Sequence, residues 1–446
     1  MPRLFGTDGV RGLANAELTP ELALALGRAA VGALERQQSG RPLVAVGRDP
    51  RASGLLLESA LVAGILSAGG DAVLAGVLPT PAIAFLTRHY HASAGAVISA
   101  SHNPMPDNGI KFFGPEGFKL PDALEDRIEA ALALEGQGAP RPVGAEVGSA
   151  QPAPDAAEAY LDHLLEGIPD LGGLQVVVDC ANGAAARIAP EAYRRAGASV
   201  EAIAAEPDGH NINHGCGSTH PELVREAVVR RGAAVGLAHD GDADRLVAVD
   251  ERGELIDGDI ILAIAALDER ERGGLPTGTV VTTVMTNLGF RRAMAEHGIE
   301  VVQTAVGDRY VLESMRSGGH TLGGEQSGHI IFLDRATTGD GILTGLKLLS
   351  IVARASKPLS ELARVMRRLP QVLVNVRVAA RDGLQSSDVT WHAVSEEQAR
   401  LGERGRVLVR ASGTEPLVRV MVEAESEDEA QGVARRLSAV IERELS

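Results

Sequence analysis

Short apolar runs alternate with longer amphipathic stretches along the first 150 residues. Pro42-Leu43-Val44-Ala45-Val46 reads as a buried strand. Residues 53–68 carry an apolar stripe and stop at Gly69-Gly70, as a helix should. Ala72-Val73-Leu74-Ala75 is a second strand, residues 81–90 a helix and residues 95–99 a third strand. Strands with no polar alternation, separated by helices, belong to a parallel sheet covered on both faces. Residues 135–154 are rich in Gly, Pro and Ala without a clean period and read as a linker or irregular edge. The alternation then resumes, with strands at 176–178, 200–203 and 234–238 and helices at 184–196 and 221–231. A third unit starts near Gly253, with strands at 280–284 and 301–304 and helices at 290–297 and 344–355. After Pro370 the pattern changes. Residues 372–378 alternate as a half-exposed strand does, residues 407–410 and 418–422 resemble them, and a helix over 427–443 closes the chain. Grouped strands of this kind predict an α+β unit. The expected domains are 1–153, 154–253 and 254–369, all α/β, and a smaller one over 370–446.

The length of 446 residues by itself suggests about three domains, so the patterning adds the fourth. A net charge of −16 argues against a nucleic-acid backbone or an anionic membrane as partner, since both need a basic footprint. Aromatic content of 3% disfavours a sugar-stacking platform or a base-stacking groove. Cys180 and Cys216 are too few for a disulfide framework. With no long apolar stretch at the N-terminus and no membrane-length apolar run, a reducing cytoplasm is the expected setting. Only Lys111, Lys119, Lys347 and Lys357 are lysines among the 43 basic residues, so a lysine inside a motif draws notice.

Several chemistries drop out. No Lys precedes Ser or Thr, so there is no P-loop, and no Gly-x-Gly-x-x-Gly follows a strand. His210 and His214 have helical ligand spacing but sit among turn residues. The strongest signal is Asp240-Gly241-Asp242-Ala243-Asp244-Arg245, directly after an apolar strand. Three carboxylates at alternate positions suit one hard cation such as Mg²⁺. The plainer alternatives are a solvated acidic turn or a calcium loop. Arg245 stands where an EF-hand needs Gly.

Ser99-Ala100-Ser101-His102-Asn103-Pro104 also follows a strand end, where open α/β sheets place ligands. A Ser there can act as nucleophile or phosphate carrier, and Lys111 follows closely as a candidate acid, base or phosphate anchor. Two loops suit anions. Phe5-Gly6-Thr7-Asp8-Gly9-Val10-Arg11-Gly12 packs glycines around an Arg, and Arg410-Ala411-Ser412-Gly413-Thr414-Glu415-Pro416 offers an Arg and two hydroxyls, with Arg419 beyond. Gly323-Gly324-Glu325-Gln326-Ser327-Gly328-His329 offers groups for sugar hydroxyls or an amine, and a histidine able to move protons. Each loop taken alone is also readable as an ordinary turn.

Taken in order, these five motifs resemble the α-D-phosphohexomutase superfamily over essentially the whole chain. Gln326, where mannose and glucose enzymes usually carry Met, and Val306-Gly307-Asp308-Arg309-Tyr310-Val311 resemble its glucosamine branch. The resemblance implies an α/β fold: three similar mixed-sheet α/β domains plus a smaller C-terminal α+β domain around a central cleft. It implies a catalytic set of Arg11, Ser101, His102, Lys111, Arg245 and His329, with Ser101 modified as a phosphoserine. One Mg²⁺ per chain would be held by Ser101, Asp240, Asp242 and Asp244. The phosphosugar would be bound by Glu325, Ser327, Arg410, Ser412, Gly413, Thr414 and Arg419. The implied reaction is glucosamine 6-phosphate to glucosamine 1-phosphate through a hexosamine 1,6-bisphosphate, feeding UDP-N-acetylglucosamine and cell-wall synthesis. The expected partner is a small phosphosugar, with no nucleic acid and no membrane. A homodimer, and first loading of Ser101 by a kinase or by autophosphorylation, are compatible with it. A phosphomannomutase/phosphoglucomutase, a metal-dependent phosphatase working through phosphoserine and a silent sugar-phosphate binder are the alternatives.

Overall fold

The computed structural model describes residues 3–6, 8–34, 40–133, 141–379, 381–412 and 417–445. The chain divides into two compact units, residues 1–284 with 300–364 and residues 285–299 with 365–446.

The first unit holds three sheets. Strands β1 (Val10–Leu13), β2 (Leu43–Arg48), β3 (Asp71–Val77), β4 (Ala94–Ile98), β5 (Asp107–Phe113) and β6 (Ala150–Pro152) lie in the order β1-β5-β4-β2-β3-β6. The core β4-β2-β3 is parallel, as the helix alternation requires. The sheet as a whole is mixed, because β5 runs antiparallel to both β4 and β1. No helix separates β4 from β5, so only an antiparallel return is open to that connection. In the stretch read as a linker or irregular edge, β6 forms an edge strand that pairs in parallel with β3. Its exposed, Pro-containing sequence has no apolar period to reveal it. The helix Pro20–Ala33, capped by Thr19 with Pro20 in its first turn, packs on Gly54–Ser67. Contact there is backbone-close: a Cβ on Gly64 would stand 2.1 Å from the Leu24 carbonyl oxygen.

Strands β7 (Gln175–Asp179), β8 (Ser199–Ile203), β9 (Val235–His239), β10 (Leu246–Asp250) and β11 (Leu255–Ile256) form a second sheet, in which β7 is parallel to β8 and β9. Strand β10 runs antiparallel to β9. In the third sheet β12 (Thr279–Thr283) is parallel to β13 (Glu300–Thr304) and β14 (Leu322–Gly324), and β15 (Ile330–Phe332) returns antiparallel to β14. The three sheets therefore share one device. Each has a parallel strand whose C-terminal end turns into an antiparallel neighbour: β4 to β5, β9 to β10 and β14 to β15. Those three turns carry the serine motif, the aspartate motif and the Glu325–His329 motif.

The helix Gly341–Ala355 is capped by Asp340, whose carboxylate accepts the Leu343 N–H (2.9 Å) and the Tyr160 hydroxyl (2.7 Å). Burial pushes this carboxyl up to about 6 from an ordinary 3.8. Between those two values the unfolded chain ionises the group while the folded chain holds its proton, so stability is lost as pH rises through the window. Asp340→Asn keeps a capping oxygen and removes the titration. The variant is expected to gain on the parent protein by at most about 3 kcal/mol between pH 4 and 6. Thermal unfolding across that range checks this, and a melting-point difference independent of pH would refute it.

In the second unit, β16 (Gln371–Arg377), β17 (Arg406–Ala411) and β18 (Leu417–Glu423) make an antiparallel sheet in the order β16-β18-β17. The helices Asp388–Leu401 and Glu427–Leu445 accompany it, and Val376, Val418, Val420, Val422, Leu437 and Ile441 form part of its core. The helix Leu288–Glu296 belongs to this unit although its sequence lies between β12 and β13. Glu423, fully buried on β18, ties it in. Its carboxylate accepts the Leu288 N–H (2.9 Å) and the Asn287 amide (3.3 Å) and is gripped by Arg406 at 2.8 and 3.1 Å. Among the described residues no helix is long and apolar enough to cross a membrane.

Candidate active site

Ser101 sits just past β4, buried, with a left-handed backbone (φ 52°). Its Oγ–H donates to Asp240 Oδ2 at 2.5 Å, and its Oγ lies 3.3 Å from His102 Nδ1. Asp240, Asp242 and Asp244 are all buried, and a ligand oxygen from each lies within 4.8 Å of the others. Ala243, also left-handed (φ 57°), turns the loop between the last two. Strained backbone of this kind gathers where a site needs a fixed geometry. Burial, and then the charges of Asp244 and Asp242, push the Asp240 carboxyl well above its ordinary range. For Asp244, burial is outweighed by Lys111, His329 and Arg245, which hold it well below.

These residues fit a hard divalent cation. The donors are all oxygen. Asp242 Oδ1 and Asp244 Oδ1 are buried with no hydrogen-bond partner among the described residues. A buried unpaired carboxylate oxygen is costly unless a cation compensates it.

Lys111 reaches the triplet from β5, opposite Val97 of β4. Its Nζ lies 2.9 Å from Asp242 Oδ2, 3.0 Å from Asp8 Oδ2 and 3.8 Å from Asp244 Oδ2. Burial disfavours the charge, but Asp242, Asp8 and Asp244 overcome it and raise the pKa above the ordinary lysine value. Lys111 is therefore a fixed cation in this arrangement. His102 is the opposite case: burial, then Arg245 and Arg11, push its imidazole down to about 4. His329 accepts the Gly339 N–H through Nε2 (3.0 Å), with Nδ1 3.7 Å from Asp244 Oδ2 and Nε2 3.5 Å from Asp308 Oδ2. Burial opposes its charge, but Asp244 and Asp308 prevail and the pKa is raised.

Asp8, Arg11, His102, Asp244, Arg245, Asp308, Glu325 and His329 line a cavity of about 450 Å³. Arg11 pairs with Asp8 and donates to Asn103 Oδ1 at 2.9 Å, fixing it beside the serine loop. Arg245 lies 3.7 Å from Asp244 Oδ1. Glu325 accepts the Gly307 N–H at 3.2 Å, and Ser327 in the same turn has a buried Oγ with no partner among the described residues. Eleven of the expected site residues thus converge on one region.

The other five belong to the second unit. Arg410 on β17 stands directly opposite Arg419 on β18 in the second unit, with Ser412 N–H bonded to the Leu417 carbonyl at 2.8 Å. Burial, and then Arg419, lower the Arg410 pKa. Like charges across a strand pair are unfavourable. Gly413 and Thr414 lie outside the described residues.

Three participants escape motif reading. Asp8 lies inside the first Gly-rich loop yet links Lys111 to Lys119. Lys119 continues to Asp308 at 2.6 Å, and its rarity as a lysine is the one signal that points to it. Arg51, buried behind the serine loop, belongs to the charged run Arg48-Asp49-Pro50-Arg51 at the end of an apolar strand.

A four-domain α/β chain with a serine hydroxyl set on a buried carboxylate triplet has the architecture of the phosphohexomutases. Residues 2–138, 158–253 and 257–369 match the models for phosphoglucomutase/phosphomannomutase alpha/beta/alpha domains I, II and III, and residues 373–440 match the model for the C-terminal domain. The chain belongs to the phosphoglucomutase/phosphomannomutase family. It is similar to the phosphoglucosamine mutase of Symbiobacterium thermophilum, 57% identical over 446 residues that span 100% of each chain. A phosphoglucomutase/phosphomannomutase family protein from Burkholderia thailandensis superposes with a TM-score of 0.81 at 25% identity, covering 98% of this chain and 97% of that one. The N-acetylphosphoglucosamine mutase of Aspergillus fumigatus, solved with GlcNAc-6P and magnesium, shares the fold. Its TM-score is 0.67 at 19% identity, with 99% and 96% of the two chains covered.

Proposed function

We propose that this enzyme interconverts glucosamine 6-phosphate and glucosamine 1-phosphate by way of a phosphoserine at Ser101. The observation that carries this reading is the Ser101 hydroxyl, 2.5 Å from Asp240 inside the buried triplet. The full-length likeness to a phosphoglucosamine mutase supports the choice of sugar.

In the first half-reaction the Ser101 O–P bond breaks as a bond from phosphorus to the sugar O1 forms, and the O1 proton passes to a base. In the second, the bisphosphate presents its other phosphate, the O6–P bond breaks as the Ser101 O–P bond reforms, and O6 takes the proton back from that base. Such transfers need alignment and charge neutralisation more than covalent chemistry. A Mg²⁺ held by Asp240, Asp242, Asp244 and a Ser101 phosphate oxygen would supply neutralisation. Lys111, Arg11 and Arg245 add fixed positive charge around the transferring group. His329 is the proton carrier, Lys111 being held as a cation by its carboxylate partners, and Glu325 and Ser327 hold the sugar. In the second unit, Arg410, Ser412, Gly413, Thr414 and Arg419 form a phosphate-binding element. A hexosamine 1,6-bisphosphate, a kinase or autophosphorylation loads Ser101 the first time. Buried, unpaired Cys180 and Cys216 suit a reducing cytoplasm.

The test is a product assay by ³¹P NMR with purified protein and Mg²⁺, run on glucosamine, glucose and mannose 6-phosphates side by side. Glucosamine 6-phosphate should turn over faster by roughly tenfold or more. Faster turnover of glucose or mannose phosphate, or steady release of inorganic phosphate, would overturn the reading.

A further inference from the structure

Two side chains behind the serine loop hold its backbone. Arg51 is buried in the turn after β2 and spends its guanidinium on carbonyl oxygens. Its Nη1 donates to Pro104 (2.5 Å) and Asp107 (3.1 Å), and its Nη2 donates to Ser101 (3.0 Å) and Asn103 (2.9 Å). Its Nε donates to the Asp49 carboxylate at 2.9 Å. Asn213 comes from the loop before the helix Glu222–Arg231 and belongs to the layer of the second sheet. Its Nδ2 donates to two of the same carbonyls, Ser101 at 2.9 Å and Asn103 at 3.1 Å.

The amide side of Ser101 is held as firmly. The Ser101 N–H donates to Ser99 Oγ (3.0 Å), and the Ser99 hydroxyl donates to Asp49 (2.6 Å), the partner of Arg51. Both backbone polar groups of Ser101 are therefore claimed by one buried network. Asn213 is anchored in turn by its own N–H, which donates to the Ala181 carbonyl at 2.9 Å.

The purpose follows from the backbone. A non-glycine residue in the left-handed region is strained and stays there only when its surroundings over-determine it. Relaxation to an ordinary conformation would rotate the Ser101 carbonyl and swing Cβ, carrying Oγ away from Asp240. Gly241 of the aspartate loop passes so close that a Cβ there would lie 2.6 Å from the Ser101 carbonyl oxygen and 2.9 Å from Asn213 Nδ2. The same carbonyl thus meets the serine loop's anchor and the acidic loop's backbone at one point.

We propose that Asn213, acting with Arg51, is a positioning residue that locks Ser101 in its left-handed conformation and keeps its oxygen in line with the Asp240–Asp244 loop through both half-reactions. The inference rests on Ser101 being the phosphoryl carrier, so its test separates the two ideas. Asn213→Ala and Arg51→Lys are made alongside the parent protein. Each is loaded with glucose 1,6-bisphosphate, and Ser101 phosphorylation is followed by intact mass and by the ³¹P resonance of the phosphoserine. In Asn213→Ala we expect kcat to fall roughly 10- to 100-fold, KM to stay within about threefold and the ³¹P resonance to shift. Arg51→Lys, which keeps a buried cation but cannot span four carbonyls, should act in the same direction and carries the test if the alanine variant fails to fold. Failure of the parent to accept phosphate on Ser101 would overturn the carrier reading. A parent that accepts it, with a folded variant matching it in kcat and resonance, would overturn the positioning role.

Discussion

Ser101→Ala should abolish mutase turnover, by roughly 10³-fold or more, while leaving sugar-phosphate binding in place. Removal of the hydroxyl takes away the atom that carries the phosphoryl group. The cavity walls supplied by Arg11, Arg245, Glu325 and His329 do not depend on that oxygen for their contacts. Binding, followed by calorimetry with glucosamine 6-phosphate, should therefore survive. Asp240 loses only the 2.5 Å bond from Ser101 and keeps the Arg245 N–H at 3.2 Å. Near-normal turnover in the alanine variant would sink the phosphoserine scheme, because no other step in it transfers the group.

The second large effect is expected at Asp242. Its Oδ2 is already engaged, accepting the Thr80 hydroxyl (2.7 Å) and Lys111 (2.9 Å), while Oδ1 has no partner among the described residues. Asp242→Asn lowers the negative charge of the triplet by one and puts an amide donor where a donor or a cation is to be received. The half-saturating Mg²⁺ concentration should rise by roughly tenfold or more and kcat should fall roughly 100-fold. Thermal unfolding run beside the titration separates metal binding from folding, since Lys111 loses part of its clasp as well. An unchanged response to Mg²⁺ would remove Asp242 from the metal site.

Much of this site was legible in the linear pattern because its parts are local. The serine and aspartate motifs each occupy one turn at the end of one apolar strand, and a turn of that kind announces both its chemistry and its place. Asp8, Lys119 and Asp308 were harder to read. Their roles come from ion pairs between residues up to 189 positions apart, as between Lys119 and Asp308, and spacing along the chain carries no trace of such a pair. Arg51 and Asn213 act on backbone carbonyls, which have no side-chain signature at all. The fold shows the same division. The parallel cores followed from apolar runs between helices. Strand β6 stayed hidden because exposed Ala150-Gln151-Pro152 has no apolar period.

The grip of Glu423 on the helix Leu288–Glu296 bears on how the chain is made. Asn287 leaves the ribosome 136 residues ahead of the carboxylate that receives it. At elongation rates of about 5 to 20 residues per second, that gap lasts roughly 7 to 27 seconds. During it the Leu288 N–H and the helix behind it lack their native cover. Residues 285–299 are thus the part of the nascent chain that must wait, and a stop codon anywhere before Glu423 would strand them for good.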